Sequence, residues 1–172
     1  MSRILLLVPR MNIGGAETYV YTVAKDLHSR GVHEIFIASG GGKFADKLEE
    51  IGVKTVFLPV RLNRSLAVFL LKRIIKKYKI DLVHANSGDA GVVAAYLKKH
   101  IDIPVIYTAH GIFGNMEREY VIDTVDRIIC VSNFVRERAI SQGFTPEKLL
   151  TKYCGVDTKR FSPNAQTRTE LR

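Results

Sequence analysis

Short runs of apolar and β-branched residues recur along this chain, separated by segments of helical period, and that alternation limits the fold more than any other feature. A strand made almost wholly of apolar residues is buried on both faces. A parallel sheet between two helical layers provides this, and an antiparallel sheet with one wet face does not. Parallel neighbours also need a crossover of about a dozen residues or more, which the intervening segments supply. Ile4-Leu5-Leu6-Leu7-Val8 is the first such run. The pattern predicts strands over 3–9, 33–39, 54–58, 81–85, 104–108, 127–131 and 149–153, and helices over 15–30, 44–51, 65–79, 89–99, 117–124 and 133–142. Gly31, Gly52 and Gly143 follow helical runs as C-terminal stops, and Ser132 stands where it can cap the helix that begins at Asn133. The expected fold class is α/β, a Rossmann-like three-layer sandwich around a mostly parallel sheet of about seven strands.

Composition narrows the partners. The chain has 172 residues, 47% hydrophobic and 25% charged, enough for one sizeable core in an ordinary globular domain. Cys130 and Cys154 form neither a disulfide framework nor a metal-ligand spacing, which fits a reducing cytoplasm. The opening apolar run is cut by Pro9 and is too short for a secretory segment, and no apolar stretch approaches the roughly 20 residues that cross a bilayer. The net charge of +9 and pI of about 9.7 suit nucleic acid, an anionic membrane surface or phosphorylated substrates. No zinc-finger spacing, RNP-like aromatic run or basic-zipper pattern is present, so nucleic acid is set aside.

Ligands of open α/β sheets bind outside the carboxyl ends of the strands, so the loops after strands are where function is sought. The first, Pro9-Arg10-Met11-Asn12-Ile13-Gly14-Gly15-Ala16-Glu17, runs into a helix. Gly14 and Gly15 let backbone N–H groups approach a ligand, and the helix N-terminus favours an anion such as a diphosphate. A tight strand-to-helix turn with no ligand accounts for the spacing equally well. The loop is no dinucleotide fingerprint: G-x-G-x-x-G is missing, and the second strand ends in Ser39-Gly40-Gly41-Gly42 instead of an acidic residue. Gly40-Gly41-Gly42-Lys43 is no P-loop either, because Phe44 follows in place of Ser or Thr.

Two later loops bring histidines to the same edge. Asp81-Leu82-Val83-His84 leads into Ala85-Asn86-Ser87-Gly88-Asp89, and Tyr107-Thr108 into Ala109-His110-Gly111-Ile112-Phe113-Gly114. His84, nearer its strand, reads as a structural histidine, whereas His110, in an otherwise apolar loop with glycine after it, reads as a ring facing a cleft. On the helix over 65–79, Leu70, Leu71, Ile74, Ile75 and Tyr78 share one face, while Lys72, Arg73, Lys76 and Lys79 share the other. Phe69 falls among these basic residues, and Arg64 stands just ahead of the helix. An aromatic in a cationic arc suits contact with an anionic membrane surface; a solvated face whose Phe69 packs on a neighbouring loop also fits.

Taken together and in order, five segments resemble the N-terminal domain of a family 4 glycosyltransferase, a retaining GT-B enzyme that transfers sugar from a nucleotide-sugar. They are Gly14-Gly15-Ala16-Glu17 with Leu27-His28-Ser29-Arg30-Gly31; Asp81-Leu82-Val83-His84-Ala85; Tyr107-Thr108-Ala109-His110-Gly111; Asp126-Arg127-Ile128-Ile129-Cys130-Val131-Ser132; and Gly155-Val156-Asp157 to Phe161-Ser162-Pro163. The resemblance implies that Gly14 and Gly15 meet the donor diphosphate through the backbone. It gives His110 the catalytic contact with the transferred sugar, and it places Glu17, Asn86 and Ser87 on the acceptor side. It implies a glycan or lipid-linked acceptor and no metal or cofactor, and the chain has no Asp-x-Asp. It implies further that 1–163 is an acceptor-side domain, that 164–172 begins a linker, and that the donor-binding C-terminal domain is absent, so the fragment alone is inactive. Two positions depart from the family's usual pattern: Cys154 stands where Asn usually precedes Gly-Val-Asp, and Asn86 where a second histidine is common. The alternative is a non-catalytic sugar-phosphate or membrane-docking module of the same fold. The expected location is cytoplasmic, peripheral at the inner membrane face.

Overall fold

In the computed structural model, which describes residues 1–61, 63–158 and 161–162, the apolar runs lie side by side in one sheet. Its strands are β1 (Ser2–Leu7), β2 (His33–Ser39), β3 (Lys54–Phe57), β4 (Leu82–Asn86), β5 (Val105–Ala109), β6 (Arg127–Cys130) and β7 (Leu149–Thr151). All pairings are parallel, in the order β3-β2-β1-β4-β5-β6-β7. The helices are α1 (Gly15–Ser29), α2 (Lys43–Glu50), α3 (Arg64–Tyr78), α4 (Gly88–Lys98), α5 (Asn115–Tyr120) and α6 (Asn133–Ser141), with a short 3-10 turn over Pro146–Lys148. The fold class is the one the alternation predicts.

Strand β1 shows why both layers are required. Leu5, Leu6, Leu7 and Val8 are at most 1% exposed. Leu5 and Leu7 pack into a core with α3, α4 and α6, whereas Leu6 and Val8 face the core built with α1 and α2. Each such side chain contributes about 1.5–3 kcal/mol by leaving water, and only a sheet covered on both sides collects that from consecutive residues.

The strand order creates the site. From β1 the chain steps outward through β2 to β3; α3 then carries it back across the sheet to β4, and it proceeds the other way to β7. Direction reverses between β1 and β4, and the loops that diverge there leave a crevice at the carboxyl edge.

Element ends follow local chemistry. Strand β1 stops before Pro9, which has no N–H to donate, although Val8 still donates to the Ala38 carbonyl (3.1 Å). Asn63 caps α3 by accepting from the Leu66 N–H (3.0 Å), and Lys79, expected inside that helix, ends it in the left-handed region at φ 52°. Its buried line is Ala67, Leu71 and Ile74, with Leu70, Ile75 and Tyr78 half-buried beside it. Helix α5 begins two residues earlier than predicted and ends at Tyr120, because the Glu117 carboxylate turns back to accept the Gly114 N–H (2.9 Å) and Val121 and Val125 then fold inward. Strand β7 stops at Thr151, two residues short of the predicted end. Gly31, Gly52 and Gly143 have φ of 65°, 88° and 92°, as helix stops require. Ser132 accepts the Val135 N–H (3.2 Å), so that loop is a helix cap. The 164–172 segment, read as linker, lies outside the described residues.

Candidate functional site

Alternation along β4 and β5 puts unlike chemistry on the two faces of the sheet. Val83, Ala85, Val105, Tyr107 and Ala109 enter the core with α3, α4 and α6. His84, Asn86 and Thr108 have the opposite parity, so they face the α1 side, where a fully buried strand would carry apolar residues. All three are buried, Asn86 and Thr108 completely.

His84 and Thr108 satisfy each other: the His84 Nε2 lies 2.6 Å from the Thr108 Oγ1. Burial, with His110 nearby, holds the His84 imidazole at about 4, so it is neutral near pH 7. This is the structural role read from the sequence. Tyr19 of α1 reaches the same pair. Burial pushes its phenol up against the opposing pull of a hydrogen bond with the Thr108 side chain, and Cys154 adds to the rise. The Tyr19 ring also meets His110 edge to face, centroids 5.0 Å apart. His84, Thr108 and Tyr19 thus form a brace behind His110.

His110 is half-buried, and its Nε2 is buried with no hydrogen-bond partner. Burial keeps its imidazole below the ordinary value, against the pull of the Glu17 carboxylate. Asn86 donates from Nδ2 to the His84 carbonyl (3.1 Å), yet its Oδ1 is unpartnered. Ser87 Oγ is unpartnered too, and Ser87 has φ 89° and ψ 159°, a region almost reserved for glycine that costs a serine about 1–3 kcal/mol. Three of the five unpartnered buried side-chain atoms among the described residues therefore lie at the carboxyl ends of β4 and β5.

Across the crevice, Gly14 is the N-cap of α1, and a Cβ there would collide with the Glu17 carboxylate, which folds back over the start of the helix. A Cβ on Gly15 would meet nothing within 4 Å, leaving that backbone open to a ligand. The turn is held from behind by the loop read above as no P-loop. Gly40 donates to the Pro9 carbonyl (3.0 Å), Met11 to Gly41 (2.9 Å) and Phe44 to Met11 (2.8 Å). A Cβ on Gly42 would strike Asn12 and Met11. The crevice thus brings together Gly14, Gly15, Glu17, Asn86, Ser87 and His110; Arg64, Phe69, Lys72, Arg73 and Lys76 lie apart from it on α3.

Sequence reasoning missed Tyr19, Thr108 and Glu117. The Glu117 carboxylate accepts from the Tyr107 hydroxyl and the Gly114 N–H, and a Cβ on Gly88 would lie 3.1 Å from it. It ties the loop carrying His110 to β5 and lies close against Gly88 at the start of α4. Burial, then Glu117, drives the Tyr107 phenol well above its ordinary value, so the hydroxyl stays a donor.

What this crevice can do is hold a polar, hydroxyl-rich ligand: unpaired acceptors and donors on one wall, an open backbone and a helix N-terminus on the other. One subunit of the phosphatidylinositol N-acetylglucosaminyltransferase of Homo sapiens is 24% identical over 175 residues, spanning 89% of this chain and 36% of that protein. The O-antigen biosynthesis glycosyltransferase WbnH of Escherichia coli is 28% identical over 164 residues, 88% of this chain and 48% of that one. The crystal structure of Anabaena Alr3699/HepE with UDP-glucose superposes with a TM-score of 0.79 at 21% identity, over all of this chain and 49% of that one. The chain thus spans about half or less of each of these three proteins, and its fold is one half of a GT-B glycosyltransferase fold. The Glycosyltransferase Family 4 profile covers residues 13–160, and the chain belongs to that family.

Proposed function

We propose that this domain is the acceptor-side half of a retaining glycosyltransferase that moves a sugar from a nucleotide-sugar to a polysaccharide or lipid-linked acceptor at the inner face of a membrane. The observation that carries the reading is the set of unpaired buried atoms, Asn86 Oδ1, Ser87 Oγ and His110 Nε2, opposite the open backbone at Gly15. Leaving a buried polar atom without a partner costs about 1–3 kcal/mol, and a ligand with several hydroxyls removes that cost. In this reading Gly14 and Gly15 approach the donor diphosphate, and His110 contacts the transferred sugar. Its lowered basicity keeps the ring neutral, able to hydrogen-bond a hydroxyl without carrying charge. Glu17, Asn86 and Ser87 line the acceptor side. Two relatives' names support the acceptor classes, one containing phosphatidylinositol and the other O-antigen biosynthesis. The donor's nucleotide contacts and the groups that neutralise its diphosphate fall to a second domain of similar size, and no metal is assigned.

The test compares the purified 172-residue chain with a longer protein that joins it to such a domain, each offered UDP-sugars and lipid-linked acceptors. The chain alone should fold, bind nucleotide-sugar weakly and give no turnover, while the longer protein transfers sugar. Turnover by the chain alone, with contaminating full-length enzyme excluded, overturns the division of labour.

A further inference from the structure

A histidine that takes part in a reaction is usually aimed by a hydrogen bond on one ring nitrogen, which fixes the tautomer and the direction of the other. His110 has no such bond among the described residues. Its Nε2 is buried and unpartnered, and the Glu17 carboxylate acts on the ring through charge alone. The backbone restrains it little. A Cβ on Gly111, the next residue, would meet nothing within 4 Å, and Ile112 is 53% exposed.

What meets the ring instead is Tyr19, its one aromatic partner among the described residues. The two rings lie edge to face, with centroids 5.0 Å apart and planes at 71°, an arrangement whose attraction depends on ring orientation. Tyr19 is itself well fixed. Its backbone belongs to α1, its ring packs on the core beneath that helix, and its hydroxyl shares a hydrogen bond with Thr108 of β5. Thr108 is completely buried and lies 2.6 Å from the Nε2 of His84 on β4, so the phenol is anchored to two central strands. We propose that Tyr19 is the positioning residue of His110: its anchored ring does for this imidazole what a hydrogen bond on the second nitrogen does for others. This role rests on the reading in which His110 meets the reacting sugar.

In a catalytically active protein containing this domain, Tyr19→Leu keeps apolar bulk on α1 and removes the ring. It should lower kcat about fivefold or more with KM changed less than about twofold, because a misaimed group costs the transition state and leaves ground-state binding in place. Tyr19→Phe keeps the ring, and should recover most of that loss. The double variant separates aiming from bulk: with His110→Ala there is no imidazole to aim, so Tyr19→Leu should then add less than about twofold. NMR titration of the His110 imidazole in the 172-residue chain is a readout apart from turnover. Removing the Tyr19 ring lets water reach the imidazole, whose lowered value should move up towards the ordinary one in Tyr19→Leu and stay in place in Tyr19→Phe. Circular dichroism checks folding, and Tyr19→Met stands in should the leucine variant unfold. A near-normal kcat for Tyr19→Leu, equal losses with and without the His110 side chain, or a Tyr19→Phe as impaired as Tyr19→Leu overturns the positioning role and leaves His110 in the reaction. A near-normal kcat for His110→Ala overturns both that reading and this role.

Discussion

The crevice and the α3 face both present polar groups without protein partners, and they differ in what that costs. At the crevice the unpaired atoms are buried, each at an expense of about 1–3 kcal/mol, and Ser87 adds backbone strain of similar size. On α3 the cations stand in water, where an exposed ion pair would return only about 0–1 kcal/mol. A missing partner therefore argues for a ligand in the first region and carries little weight in the second.

The comparison breaks first if the crevice is not built on a neutral, buried brace. His84 is held at about 4 when folded and returns to about 6.5 when unfolded. Between those values the unfolded chain takes up a proton that the folded chain refuses, so stability falls as pH drops through that window and is unaffected by His84 above it. For a group this buried the loss is on the order of 3 kcal/mol. Thermal unfolding from pH 7 to pH 4 should show the decline in the wild type and much less of it in His84→Gln. An imidazole titrating near 6.5 by NMR would remove the brace from the account.

A smaller effect tests whether the His110 loop is tied down. Glu117→Ala leaves the buried Tyr107 hydroxyl and the Gly114 N–H without their shared acceptor and should cost about 1–3 kcal/mol in chemical denaturation. Amide exchange should quicken most over residues 110–114, with α3 unchanged. Uniform quickening across the domain would make Glu117 an ordinary contributor to stability.

How legible each region is in the sequence follows from how far its interactions reach. The strands are legible because each buries consecutive apolar residues, and the Ser132 cap and the three glycine stops are legible because their partners lie within one turn. Gly14 shows a limit: the sequence leaves ligand approach and a tight ligand-free turn level, and the structure adds that Glu17 already occupies the space of a Cβ. Tyr19, Thr108 and His84 come from three elements, and their brace appears only once β4 lies beside β5 with α1 above them. The same holds for Gly40 to Gly42, whose role is to prop a loop some 30 residues earlier in the chain. Residue types and spacing nominate the crevice residues; cross-element hydrogen bonds, which no spacing encodes, decide how they are held.

The central claim is that the unpaired wall of the crevice, and His110 in it, meets the reacting sugar. In a catalytically active protein containing this domain, kcat for His110→Ala is the most direct measurement. It should fall at least about tenfold, as loss of one transition-state contact does, with the unfolding temperature little changed. A near-normal kcat in a folded variant would contradict the account and return His110 to a structural role.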